Sequence, residues 1–94
     1  MFRDRTVSLV IPAYNEEETI GQVVEEFRQE QHIDEIVVVD NNCQDRTAVI
    51  ATAAGARVVR EAKAGYGSAL TAGMNAATGD LLVLVEADGS FRDR

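Results

Sequence analysis

Four β-branched residues in unbroken succession, Ile36-Val37-Val38-Val39, constrain this chain more than any other stretch. A strand with one face in water alternates apolar and polar side chains, so a continuous run marks a strand covered on both faces, as in a parallel sheet between helices. Other short blocks repeat the pattern: Val7 to Ile11, Arg57 to Arg60 around Val58 and Val59, and Asp80 to Val85. Pro12 cannot donate to a ladder, so the first strand is predicted to end there. Between the blocks the period changes. Ile20, Val23, Val24 and Phe27 fall at i, i+3, i+4 and i+7, with Glu17, Glu18, Gln22, Glu25 and Glu26 on the other face, which predicts an amphipathic helix. Asp45 can cap a second helix through Ala54, and Gly55 sits where a left-handed C-terminal residue is needed. Leu70, Gly73, Met74 and Ala77 give a third stripe, which Gly79 is expected to stop. The order βαβαβαβ predicts an α/β, three-layer, mainly parallel Rossmann-like sheet with right-handed crossovers.

The 94 residues suit one domain, 1–94, and the 46% hydrophobic content is enough to fold it. No block approaches the ~18 apolar residues of a membrane span, and Met1-Phe2-Arg3-Asp4-Arg5 leads into a strand rather than a signal peptide's apolar core. The expected location is therefore cytoplasmic. Cys43 is the single cysteine, which excludes an internal disulfide and a thiolate metal cluster, and it reads as a small turn residue. His32 reads as a surface residue. A formal charge of -7 has the wrong sign for a nucleic-acid backbone, so no nucleic-acid partner is expected. A small phosphate ligand would need a bound cation to reverse the local potential.

In open parallel sheets ligands collect outside the C-terminal strand ends, near the point where strand order reverses. The polar residues of this chain gather there: Pro12 to Glu16, Asp40 to Asp45, Lys63 to Gly67 and Glu86 to Ser90 place four loops on one rim. The first βα turn has no glycine-rich phosphate loop, and Gly65-x-Gly67 lacks the third spaced glycine of a nicotinamide signature. The last strand runs straight into Glu86-Ala87-Asp88, two carboxylates one residue apart, an arrangement able to hold a divalent metal and through it a phosphate. Plainer readings of these residues stand beside that one. Tyr14 could cap the strand against the first helix, Glu16 to Glu18 could be helix-start charges, Gly65 and Gly67 could serve only a tight turn, and Asp88 could be a solvated strand end.

Taken together, Val7 to Glu17, Ile36 to Asn42 with Asp45-x-Thr47, Arg60, Gly65-Tyr66-Gly67, Ala69, Gly73, Ala77-Thr78-Gly79 and Glu86-Ala87-Asp88 resemble the family 2 glycosyltransferases of GT-A fold, in their dolichol- or polyprenyl-phosphate mannosyl- and glucosyltransferase branch. The resemblance implies the N-terminal, nucleotide-sugar-binding half of that fold. It implies metal-dependent transfer of a hexose from a GDP- or UDP-hexose to a polyprenyl phosphate at the cytosolic membrane face, or alternatively to a small phosphorylated acid. A non-catalytic nucleotide-binding α/β module is the rival from another class. By the same resemblance Pro12, Ala13, Tyr14 and Glu16 line the base and ribose pocket, Asp40 and Asn41 face the base, and Lys63 approaches the diphosphate. Glu86, Ala87 and Asp88 hold the donor; Glu86 and Asp88 ligate Mg2+ or Mn2+, and Asp88 is the catalytic residue.

Two positions depart from the family's usual pattern: Asn41 stands where a second aspartate is common, and Glu86 where the metal triplet begins with aspartate. Acceptor-binding residues in the family lie beyond the metal triplet, so the expectation is a donor-binding part, truncated before the acceptor half, with little or no transfer by itself. A sheet edge left exposed in this way would favour a homo-oligomer.

Overall fold

The computed structural model describes residues 1–87. Burial sorts the strands: β1 (Val7–Ala13) is buried at every position and β2 (Glu35–Asp40) at all but its first, whereas β3 (Arg57–Arg60) and β4 (Leu81–Leu84) are partly exposed. The deeply apolar strands therefore occupy the middle of an all-parallel sheet of order β3-β2-β1-β4. Val10 pairs with Val37 on one side and with Leu84 on the other.

Helices α1 (Ile20–Arg28) and α2 (Thr47–Ala54) cover one face, joining Leu9, Ile11, Ile36 and Val38 in the larger core through Ile20, Val23, Val24 and Ala51. Helix α3 (Tyr66–Ala76) covers the other, over Val10, Val37 and Val39. Gly55 ends α2 with φ +110° and its N–H on the Ala51 and Thr52 carbonyls, as its position predicts. The chain steps outward from β1 to β2 to β3, then crosses back over the sheet through α3 to β4. Strand order thus reverses between β1 and β4, and a crevice opens at their C-terminal ends.

Three expectations need correction. Pro12 does not end the first strand, because β1 continues to Ala13 and Pro12 pairs with Val39. The Val7 and Ala13 carbonyls accept from the β2 side and the Val10 carbonyl accepts from Val85, so alternation points the missing Pro12 N–H toward β4, past the last registered pair. No β1–β2 bond is lost, and the proline is tolerated.

The stripe of α3 is also rotated from the predicted one: Ala69 and Gly73 are buried, while Met74 is 55% exposed. A Cβ on Gly73 would press into Val10 Cγ1 and stand 3.0 Å from Val39 Cγ2, so the helix sits where its own backbone touches the sheet. Finally, α3 stops at Ala76 with Ala77 extended, before Gly79 is reached. Gly79 instead packs on β1, where its N–H donates to Ser8 Oγ at 2.8 Å and a Cβ would stand 2.8 Å from the Ser8 nitrogen. Among the described residues no helix is long and apolar enough to cross a membrane.

Candidate functional site

A cleft of about 410 Å³ opens at the crevice between β1 and β4. Pro12, Ala13, Tyr14 and Glu16 supply one wall, Asn41 and Asn42 the floor on the β2 side, Ala64 to Tyr66 and Ala69 the opposite wall, and Glu86 the β4 side. Of the residues predicted for the site, Pro12, Ala13, Tyr14, Glu16, Asn41 and Glu86 are brought together here. Tyr14 is 62% exposed on the rim, which is not how a ring packed on α1 would sit. Asp40, Lys63 and Ala87 do not line the cleft. The Asp40 carboxylate accepts the Cys43 N–H at 2.8 Å, Lys63 is exposed, and Ala87 is buried in the core on the α1 face. Asp88 lies outside the described residues.

The first wall is held by bonds between the loops that follow β1 and β2. The Asn41 N–H and the Cys43 thiol both donate to the Ala13 carbonyl, at 3.0 and 3.3 Å, and Cys43 Sγ accepts the Asn15 N–H at 3.3 Å. In return Asn15 Oδ1 accepts the Gln44 N–H, Thr47 Oγ1 accepts the Glu16 N–H at 2.8 Å, and Asp45 Oδ2 accepts the Glu17 N–H. Asn15 and Asn42 have φ of +51° and +65°, left-handed geometry that asparagine tolerates better than most side chains.

Burial pushes the Cys43 thiol above its ordinary range, and the Asp40 carboxylate adds to the effect, so the thiol keeps the proton it donates to Ala13. Desolvation pulls Asp45 upward, but bonds from the Thr47 hydroxyl and N–H and from the Glu17 N–H outweigh it and hold its carboxyl below the ordinary range. Glu16 to Glu18 precede α1, whose first turn contains no acidic residue. The Glu16 carbonyl, not its carboxylate, accepts the Thr19 and Ile20 N–H groups that open the helix.

The opposite wall hangs on Asn41. Its Nδ2 donates to the Glu61 and Lys63 carbonyls at 3.0 and 2.9 Å, and its Oδ1 accepts the Gly65 N–H at 3.2 Å. Asn42 adds a bond from Nδ2 to the Ala62 carbonyl. Gly65 turns the chain into α3 at φ +120°; a Cβ there would touch nothing within 4 Å, so conformation rather than space calls for glycine. The N-terminus of α3 thereby borders the cleft, where the helix dipole favours an anion.

On the β4 side Glu86 is half-buried, and its Oε1 accepts the Tyr66 hydroxyl at 3.3 Å. Among the described residues no group of three or more His, Cys, Asp or Glu is arranged to hold a metal ion by itself. A hard divalent ion that takes one or two carboxylates and completes its shell with phosphate oxygens and water needs no such cluster, and Glu86 fits it as one carboxylate. Tyr66, Asn42 and Ala64 were not predicted as site residues. The spaced glycines around Tyr66 carried the signal, since a loop that turns at Gly65 must present its next residue to the rim.

A family profile described as Glycosyl transferase family 2 matches residues 8–94. The chain belongs to this family. A glucosyl-3-phosphoglycerate synthase of Mycolicibacterium smegmatis is 44% identical over 94 residues, a match that takes in 89% of this chain and 31% of that protein. The crystal structure of glucosyl-3-phosphoglycerate synthase from Mycobacterium tuberculosis with Mn2+, UDP-glucose and phosphoglyceric acid matches at TM-score 0.80 and 35% identity, over 89% of this chain and 33% of that one. The same enzyme with Mg2+ and UDP matches at TM-score 0.80 and 35% identity, over 89% of this chain and 34% of that one.

The four-stranded parallel sheet with helices on both faces is thus shared with solved family 2 glycosyltransferases. The chain spans about a third of the length of these relatives. The polyprenyl-phosphate branch is the one expected from the sequence, whereas the relatives named above are glucosyl-3-phosphoglycerate synthases.

Proposed function

We propose that this chain is the donor-binding part of a metal-dependent hexosyltransferase that takes UDP-glucose or a close relative and serves a small phosphorylated acid. One observation carries the reading. The cleft at the β1/β4 reversal combines an exposed ring, a helix N-terminus and a rim carboxylate, in a chain 35% identical to an enzyme solved with Mn2+, UDP-glucose and phosphoglyceric acid.

In this reading Pro12, Ala13 and Tyr14 offer an apolar face to the base, and the Glu16 carboxylate is placed for ribose hydroxyls. The first turn of α3 directs N–H groups at the diphosphate. Glu86, with Asp88 two residues on, holds the ion. When bound, the ion would stabilise the negative charge that builds on the departing nucleoside diphosphate. Tyr66 fixes the Glu86 carboxylate from across the cleft. An acceptor that is already an anion near neutral pH asks more for positioning than for a strong general base. Transfer to a polyprenyl phosphate is the second reading. It rests on the motifs alone, and the named relatives favour the small acid.

Calorimetry tests the proposal. UDP should bind with Mn2+ present and much more weakly without it, and Glu86→Ala should cost about tenfold or more in affinity, the share of one charged contact. No UDP or GDP binding at millimolar concentration, with either Mn2+ or Mg2+, would leave a non-catalytic α/β module as the better description.

A further inference from the structure

We infer that Asn41 is a positioning residue whose carboxamide locks the loop 61–65 against the end of β2, and not a reader of the nucleotide base. Asn41 is 7% exposed, and its side-chain bonds are all directed at one loop. Both Nδ2 hydrogens go to carbonyl oxygens, of Glu61 and Lys63, and Oδ1 receives the Gly65 N–H. The orientation of the amide is unambiguous, because two of its neighbours can only accept and the third can only donate. What remains is one lone pair on Oδ1, which can accept at most one further bond and leaves no donor for a base edge.

The same geometry accounts for asparagine, and not aspartate, at position 41 of this chain. A carboxylate has no hydrogen to give, and it would set an anionic oxygen about 3 Å from two carbonyl oxygens. This loop carries Ala64, Gly65 and Tyr66 into the cleft and launches α3, so the clamp sets the height of the helix N-terminus above the floor. The inference rests on the donor-site reading for its functional meaning, but the clamp itself is testable without any ligand.

Asn41→Asp and Asn41→Ala make opposite demands. If Asn41 merely filled space, the isosteric aspartate would be tolerated and alanine would loosen the loop. If it clamps, alanine loses the bonds while aspartate loses the donors and adds repulsion. Amide hydrogen exchange of the 94-residue chain without nucleotide should show Gly65 exchanging about tenfold faster in Asn41→Ala and faster still in Asn41→Asp, with Val37 to Val39 unchanged. UDP affinity in the presence of Mn2+ should fall in the same order.

Wild-type protection of Gly65 in Asn41→Asp, or a larger effect in Asn41→Ala than in Asn41→Asp, would overturn the inference. Should the aspartate variant fail to fold by circular dichroism, Asn41→Ala decides alone: retained Gly65 protection rejects the clamp, and its loss beside an intact β2 supports it. A wild-type chain that binds no UDP would defeat the donor-site proposal while leaving the exchange result to judge the clamp.

Discussion

On the α1 face of the sheet, Ile20, Val23 and Val24 sink branched side chains among Leu9, Ile11, Ile36 and Val38. On the α3 face, Ala69 and Gly73 bring the helix so near that Val10 and Val39 occupy the space a Gly73 side chain would need. The first face is stabilised mainly by apolar area removed from water, and the second by close approach over a small area, with little to gain from bulk. The second face also leans on a polar clasp at the far end of α3. There Glu35 accepts the Thr78 hydroxyl at 2.5 Å and the Arg57 guanidinium at 3.2 Å, and Arg57 donates to the Ala76 carbonyl. Bulk therefore means opposite things on the two faces: removing it should hurt one, and adding it should hurt the other.

Ile20→Ala should give the largest loss, about 2–5 kcal/mol in urea unfolding, because it empties a fully buried site. A loss below about 1 kcal/mol there would break the contrast between the faces. Gly73→Ala should cost about 1–3 kcal/mol, although alanine is the better helix former, since its methyl meets Val10 and Val39. Stabilisation by Gly73→Ala would mean the seam is looser than described.

Acid should separate the faces next. Desolvation raises the Glu35 carboxyl, yet the Thr78 and Arg57 bonds outweigh it and hold it below its ordinary value. A group depressed in this way stabilises the fold above its unfolded value and stops doing so as pH falls through the folded one. Amides of α3 should therefore lose exchange protection below about pH 4 before those of α1 do. The smallest effect belongs to Met74→Ala. It should stay within about 0.5 kcal/mol of wild type, because the side chain is 55% exposed.

The α1 stripe and the apolar runs of β1 and β2 were legible in the sequence because large aliphatic side chains bury wherever a period lets them. The α3 stripe misled for a physical reason: hydropathy ranks Met74 above Gly73 and Ala69, while the packing there selects for smallness. Pro12 misled because its effect depends on which neighbour the missing N–H would have faced, and that is set by the ladder.

At the site, the rim residues followed from strand order, so Pro12 to Glu16, Asn41 and Glu86 could be placed together. Which polar atoms look into the cleft and which tie loops could not be read in that way. Asp40 holds the Cys43 N–H and Asn41 holds three backbone groups of the loop 61–65. Tyr66 enters only because Gly65 turns at φ +120° and α3 begins at that point.

Paramagnetic broadening by Mn2+ in the presence of UDP tests the central claim most directly. Amide signals around Glu86, Gly65, Tyr66 and residues 14–16 should be lost, with Arg28, Asp34 and Arg57 at the opposite end of the strands unaffected. Signals that fade evenly over the molecule, or first around Asp34 and Arg57, would contradict a donor site at the β1/β4 crevice.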